Sequence, residues 1–426
     1  MPDARPTDVG IEALFVDLPR QFLDLGTLAR ANGVDPEKYY FGLGGRRMAV
    51  PAPDEDPVVL ASNAARGVLA AGGVAPTRVG LVVVGTESAV DGSKPIAAWV
   101  HRAADLPSDC RVFDVQHACY GGTAALGIAL DWIASRARPG RKALVIATDV
   151  ARYEIGSPGE PTQGGGAVAL LVGDEPRVVR FEDHPEAVHA EEVADFWRPT
   201  YRSTAVVDGS YSLECYLRAL DGCWGRFRRD TGRRFSEFEH LLFHAPFPKM
   251  AFKAHRRLFE AAARAGELPS GAEPGADFER RVLPTLWANA EVGNAYTASL
   301  YLSLAGLLEN DAVDAAGARL GLFAYGSGSC AEFLAARVGD DAAAWRGRTG
   351  LRQALRERRE LSHAEYLQFR AHGEELSRNG TLRVPTRSTG PAFCGTWEHR
   401  RVYRDEALAV PGSSSQPLGR DGRSAR

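Results

Sequence analysis

The chain has 426 residues, 45% of them hydrophobic and 25% charged, the balance of a soluble globular protein, which excludes disordered, collagen-like and coiled-coil classes. Lysine and arginine number 51 against 54 aspartate and glutamate, a formal charge of -3. No global basic field therefore draws the chain to nucleic acid or to an anionic membrane, and an anionic substrate has to be met by a local basic patch. No run approaches the roughly 18 apolar residues of a membrane span, and Met1 to Gly10 lacks the apolar stretch of a signal peptide, so a cytoplasmic location is expected.

Three continuous apolar runs, Val79 to Val84, Ala143 to Ala147 and Ala167 to Val172, predict buried parallel strands. Between the first two lies Ala118-Cys119-Tyr120-Gly121-Gly122-Thr123, followed by a helical stretch through Ile133 and a stop at Arg138-Pro139-Gly140. Cys119 thus falls at a strand-to-helix junction. Glu182 to Thr231 is polar and turn-rich and reads as an excursion from the core, as does Gly266 to Asp277. The order then repeats: an apolar run Leu241 to Phe243, a helix from Gly293 to Leu308, and a run Leu320 to Ala324. The repeat is one of pattern only, since Glu87 precedes Cys119 by 32 positions and His244 precedes Asn294 by 50. The expected organisation is α/β, with one half over 1–176, a second with insertions over 177–408, and a disordered Ser/Gly/Arg-rich tail over 409–426.

Six cysteines without a CxxC pair argue against a disulfide framework or a zinc knuckle, so no metal is expected and each thiol is by default a small buried hydrophobe. Cys119 departs from that default, because a helix N-terminus stabilises a thiolate and a later oxyanion. Gly121 and Gly122 either let backbone approach a ligand or permit tight helix packing. Glu87 stands at the end of a strand, where ligand sites of α/β sheets gather and burial raises a carboxyl toward base duty; a plain loop carboxylate is the alternative. His244, in Phe243-His244-Ala245-Pro246, takes the matching strand end in the second half. His117 reads as structural, since sequence neighbours seldom make catalytic dyads. Gly164-Gly165-Gly166 and Gly326-Ser327-Gly328 fit no phosphate-loop spacing, and either close strand packing or approach to a thioester explains them. Lys249, Lys253, His255, Arg256 and Arg257 form a local basic run that either holds phosphates or is a solvated helix face.

An ordered set of segments carries a family likeness: Gly85-Thr86-Glu87-Ser88, Ala118-Cys119-Tyr120-Gly121, Gly159-Glu160-Pro161-Thr162-Gln163-Gly164, Asp195-Phe196-Trp197-Arg198-Pro199, Val292-Gly293-Asn294 and Tyr325-Gly326-Ser327-Gly328. From about Gly10 to Tyr403 the sequence resembles the hydroxymethylglutaryl-CoA synthases, in particular the branch that condenses acetyl-CoA with acetoacetyl-CoA in the mevalonate pathway of isoprenoid biosynthesis. The resemblance implies a thiolase-like, five-layered αβαβα fold and a homodimer. It implies Cys119 as the acyl-accepting nucleophile, Glu87 as general base and His244 as the acid/base at the acceptor thioester. It further implies Asn294 and Ser327 as acetoacetyl-binding positions, Asp149, Tyr153 and Asp195 as polar support around the reaction centre, and no cofactor beyond the CoA thioesters that are substrates. Lys249 and Lys253, four apart on a predicted helix, share a face suited to the pantetheine arm and phosphates of CoA. Gln116-His117 departs from the Lys that relatives carry before this site. The rival within the family is a β-branching synthase that works on an acyl carrier protein in polyketide assembly. Such relatives often carry Ser at the position of Gly121 and Gly at that of Lys249, so these two residues favour free CoA. Ketoacyl synthases and thiolases lack the glutamate base, and a non-enzymatic member would have lost one of Cys119, Glu87 or His244.

Overall fold

Unbroken runs of β-branched and small apolar residues form strands that are covered on both faces, and this dictates the architecture. The computed structural model describes residues 8–135, 139–386 and 390–404; the expected tail 409–426 and Arg138 of the expected helix stop lie outside them. The first half contains β1 (Gly10–Asp17), β2 (Val79–Gly85), β3 (Arg111–Val115), β4 (Lys142–Val150) and β5 (Gly165–Gly173). The second contains β6 (Val179–Phe181), β7 (His240–Phe243), β8 (Arg319–Gly326) and β9 (Cys330–Val338). They join in one mixed sheet in the order β7-β8-β9-β6-β1-β5-β4-β2-β3, with Val188–Ala190 pairing β9 off this path.

The duplication is written in the topology. From the seam outward the first half runs β1, β5, β4, β2 and the second runs β6, β9, β8, β7, with the same directions at each step: β4 and β2 are parallel, as are β8 and β7, whereas β5 and β9 are antiparallel to both neighbours. One expectation is corrected here. The run Ala167 to Val172 is an antiparallel strand, because a continuous apolar pattern reports burial on two faces and carries no information on direction.

Helices α1 (Pro57–Gly72) and α2 (Ile96–Ala103) cover one side of the first half, and α3 (Gly121–Ala134) covers the other. Helix α4 (Gly209–Thr231) packs on β9 and β8, and α5 (Pro248–Arg264) packs on β7. Helices α6 (Leu283–Val292) and α7 (Ser299–Leu308) complete the second half. Every residue of α7 is buried, as expected of a helix that is apolar all round, and Tyr301 on it meets Thr123 of α3 at 2.9 Å between hydroxyl oxygens. Two further expectations change. The helix expected from Gly293 begins at Ser299, because Gly293 (φ +81°) instead terminates α6. The polar stretch ending at Thr231 contains the 23-residue α4, whose buried stripe, Cys215, Tyr216, Ala219, Leu220, Cys223, Trp224 and Phe227, is diluted in sequence by charged neighbours.

The glycine pairs serve close packing. A Cβ on Gly85 would lie 2.5 Å from the Gly121 carbonyl, and one on Gly122 would lie 2.9 Å from Thr297 O. Likewise a Cβ on Gly164 would meet Val292 O at 2.4 Å, and one on Gly326 would meet Tyr120 N at 2.6 Å. Backbone from one half thus touches backbone from the other around Cys119. Gly85→Ala is expected to lower stability by about 1–3 kcal/mol in urea unfolding, since neither backbone can yield. Gly225→Ala, on the open side of α4, should raise it by about 0.5–1 kcal/mol. Equal midpoints for the two variants would contradict the packing argument.

Candidate active site

Three strand and helix ends deliver the central side chains. Glu87 lies two residues beyond β2, His244 directly follows β7, and Cys119 lies two residues before α3 on a turn in which Ala118 takes φ +37°. Cys119 Sγ lies 3.3 Å from Glu87 Oε1 and points its hydrogen at the carboxylate. A cavity of about 530 Å³ is lined by Cys119, Tyr153, His244, Asn294, Ser327 and Lys253, so six of the expected residues share one wall system. His244 is 3% exposed; its main chain is fixed at both ends, N–H to Phe323 O at 2.7 Å and C=O from the Tyr216 hydroxyl at 2.8 Å.

Asp149 and Asp195 stand behind the cavity. Asp149 accepts from Thr86 Oγ1 (3.0 Å), Glu87 N (2.9 Å), Thr297 N (3.0 Å) and Thr297 Oγ1, leaving no oxygen for a ligand. It holds the Glu87 segment in place and is not among the residues lining the cavity. Asp195 accepts from Tyr325 OH (2.8 Å), Ser327 Oγ (2.9 Å), Ser212 Oγ (3.1 Å) and Gly328 N (3.3 Å), and so aims Ser327 at the cavity. Asn294 Oδ1 accepts from Tyr296 N at 2.9 Å and Ser299 Oγ at 3.1 Å, which turns its amide nitrogen free of that turn.

The basic run divides. Lys253 lines the cavity, whereas Lys249 lies over the Phe252 ring at 4.8 Å, held by a cation-π contact. His255 is fully buried and pairs with Asp277 at 2.8 Å, while Arg256 and Arg257 pair with Glu260 and Asp221. Most of the run is therefore a paired helix face. His117 sets its ring edge-on to Tyr120 at 5.7 Å, a packing role.

Tyr296 carries the strongest signal absent from the sequence reading. Its φ is +45°, an unfavourable conformation for an aromatic residue, and its buried hydroxyl has no hydrogen-bond partner among the described residues. Its ring packs with Tyr153 and Phe196 at centroid separations of 6.5 and 5.8 Å, in an apolar cluster against which Cys119 rests. Its only cue in sequence was its place two residues after Asn294.

Electrostatics reverse one expectation. Burial, then the charges of Glu87, Asp149 and Asp195, push the Cys119 thiol well above its ordinary value. Burial, followed by the Asp149 charge, raises Glu87 to about 8, against a lowering by Arg198, which donates to the Glu87 main-chain oxygen. Desolvation lowers His244 to about 3, so its imidazole is neutral at physiological pH, with Nδ1 buried and unpartnered among the described residues.

Two matching half-sheets in an α/β body, with a thiol, a carboxylate and an imidazole gathered at the ends of corresponding elements, constitute a thiolase-like fold. Residues 5–177 match the family model "Hydroxymethylglutaryl-coenzyme A synthase N terminal", and residues 179–267 and 273–403 match "Hydroxymethylglutaryl-coenzyme A synthase C terminal". The chain belongs to the hydroxymethylglutaryl-CoA synthase family. It is 38% identical to the hydroxymethylglutaryl-CoA synthase of Enterococcus faecalis over 76% of this chain and 82% of that protein. The structure of MvaS in complex with 3-hydroxy-3-methylglutaryl coenzyme A superposes with a TM-score of 0.86 at 42% identity, covering 93% of this chain and 99% of that one. The HMG synthase of the curacin biosynthetic pathway, in complex with acetyl donor-ACP, does so with a TM-score of 0.86 at 33% identity and the same coverage, 93% and 99%.

A thiol held up by burial and then by neighbouring carboxylates reacts slowly at neutral pH. Alkylation of Cys119 by iodoacetamide, followed by peptide mass spectrometry, is expected to keep rising with pH beyond 9, the ordinary thiol value. Glu87→Gln should accelerate it several-fold at that pH by removing one of the charges that favour the protonated thiol. A wild-type rate that levels off below neutral pH would contradict this.

Proposed function

We propose that the protein is an acyltransferase of the mevalonate type, condensing acetyl-CoA with acetoacetyl-CoA and water to 3-hydroxy-3-methylglutaryl-CoA and CoA. The observation that carries this reading is the 3.3 Å contact between Cys119 Sγ and Glu87 Oε1 beside a cavity that also holds His244. Cys119 sulfur attacks the acetyl-CoA carbonyl, and the CoA thiol departs with the proton, a thioester exchange between similar leaving groups. The methyl of acetyl-Cys119 then lies near Glu87, whose raised proton affinity suits removal of a weakly acidic C–H proton. The resulting carbanion forms a bond to the ketone carbon of acetoacetyl-CoA. Neutral His244 offers an N–H to the oxygen that becomes an alkoxide, Asn294 and Ser327 bind the acetoacetyl group with Tyr153 beside them, and water finally cleaves the Cys119 thioester. The steps are thioester exchange, proton transfer, carbanion addition to a ketone and hydrolysis, none of which changes a net oxidation state, so the reaction calls on no nicotinamide. In this reading the protein works in the cytoplasm as a homodimer, for which the half-buried β3, at the free edge of the sheet, is the natural contact.

Free CoA is favoured over a carrier protein by Gly121 and Lys249, and Lys253 at the cavity wall adds a cation suited to the CoA phosphates. The likeness to the curacin synthase keeps a carrier-dependent β-branching synthase as the second reading.

Variants of these residues and the pH profile test the assignment. Cys119→Ala should abolish acetylation by acetyl-CoA in intact-mass spectrometry, whereas Glu87→Ala should load acetyl but condense it about 10² to 10⁴ times more slowly. A folded Glu87→Ala protein that condenses normally refutes the division of roles. His244→Ala should impair use of acetoacetyl-CoA while leaving acetyl loading intact. In wild type already acetylated on Cys119, single-turnover condensation should climb with pH to a plateau above about 8, the base being active only when deprotonated. Lys253→Ala should raise the KM for acetoacetyl-CoA about fivefold to tenfold with less effect on kcat, and Lys249→Ala should do less. A wild-type preference for acetoacetyl-loaded carrier protein, untouched by either change, assigns the polyketide reading instead.

A further inference from the structure

A second cavity, of about 670 Å³, lies on the other side of the Glu87 segment. Arg202 borders both cavities, and the consecutive residues Arg152 and Tyr153 line different ones. The walls of this second cavity carry Arg152, Arg198, Arg202, Arg370 and Arg401.

Its carboxylates are already committed. Glu55 pairs with Arg20 at 2.7 Å, Asp56 pairs with Arg401 at 2.7 Å, and Asp91 caps the backbone N–H groups of Ser93 and Lys94. Glu87 faces Cys119. Outside the acidic pairs, Arg202 reaches Glu154 at 3.4 Å. Among the described residues, three of these guanidiniums have no carboxylate bonded to them. Arg370 donates only to neutral oxygens, Gln163 Oε1 at 3.1 Å, Tyr366 OH at 3.2 Å and Tyr153 O at 3.0 Å, and its buried Nε has no partner among the described residues. Arg198 donates to the Glu87 main-chain oxygen. Arg152 donates its side-chain hydrogens to no described residue; besides its burial, Arg370, Arg401 and Arg198 act on it as like charges, with the carboxylate of Glu374 opposing them.

Like charges gathered in a partly dehydrated recess repel one another, and the arrangement is favourable when a counter-anion joins it. Guanidinium forks match the paired oxygens of phosphate and carboxylate, so the geometry selects that chemistry over a halide. We propose that this second cavity binds a small polyanion bearing phosphate or carboxylate groups, held by Arg152, Arg198 and Arg370. The inference does not depend on which thioester the enzyme condenses.

The test is calorimetric titration of the full-length protein, saturated with CoA so that its substrate cavity is filled, at constant ionic strength. Inorganic phosphate and citrate are the two probes, and the tighter of them identifies the favoured group. Saturable binding near one site per chain is expected, weakened at least tenfold by Arg152→Gln and by Arg370→Gln, and unchanged by Arg256→Gln on the outer face of α5. Acetylation of Cys119 and circular dichroism show that each variant is folded; if one is not, the other decides. No saturable binding of either probe, or equal binding by wild type and both cavity variants, overturns the proposal.

Discussion

Four hydrogen bonds converge on the buried carboxylate of Asp149, at the end of β4, and the rest of the site is built outward from them. Two come from Thr86 and Glu87, beyond β2 of the same half, and two from Thr297, just before α7 of the other half. Bonds to a charged acceptor contribute about 1.5–3 kcal/mol each, so this one residue fixes the relation between the two halves where their backbones come closest. The glycines at positions 85, 122, 164 and 326 make that approach sterically feasible. The same carboxylate raises the proton affinity of both Glu87 and Cys119. A structural clasp thereby also sets the acid-base character of the residues it positions.

The duplicated topology explains why the central residues come from corresponding places. The ends of β2 and β7 supply Glu87 and His244, and the segments ahead of α3 and α7 supply Cys119 and Asn294. Strand ends and helix starts of matching units meet on one side of a mixed sheet, which is where α/β folds place ligands. Contacts cross between the halves here too: Asn294 N–H donates to Thr162 O at 2.8 Å, and Arg198 donates to the Glu87 main-chain oxygen.

Much of this was legible in the sequence, and the failures share a physical cause. The apolar runs located five strands because complete burial leaves an unbroken pattern, and the small-residue start of α3 located Cys119. Strand direction was not encoded in that pattern, and β5 was misread for this reason. Helix α4 was missed because arginines and acids interleave its buried stripe. The Cys119 proton affinity was misjudged because a helix start is visible locally, whereas Asp149 and Asp195 are remote in sequence and reach the thiol only in the fold. Tyr296 and Arg370 gain their meaning from buried polar atoms without a partner among the described residues, and Arg152 from the like charges around it, properties that exist only once the chain has folded.

The central claim is that Glu87 removes a methyl proton from an acetyl group carried by Cys119. Incubation with acetyl-CoA in deuterium oxide, without an acceptor thioester, isolates that step from all later ones. Mass spectrometry of the Cys119 peptide should then show deuterium entering the acetyl methyl in wild type and not in Glu87→Ala, although both carry the acetyl group. Exchange that persists unchanged in Glu87→Ala would contradict the account.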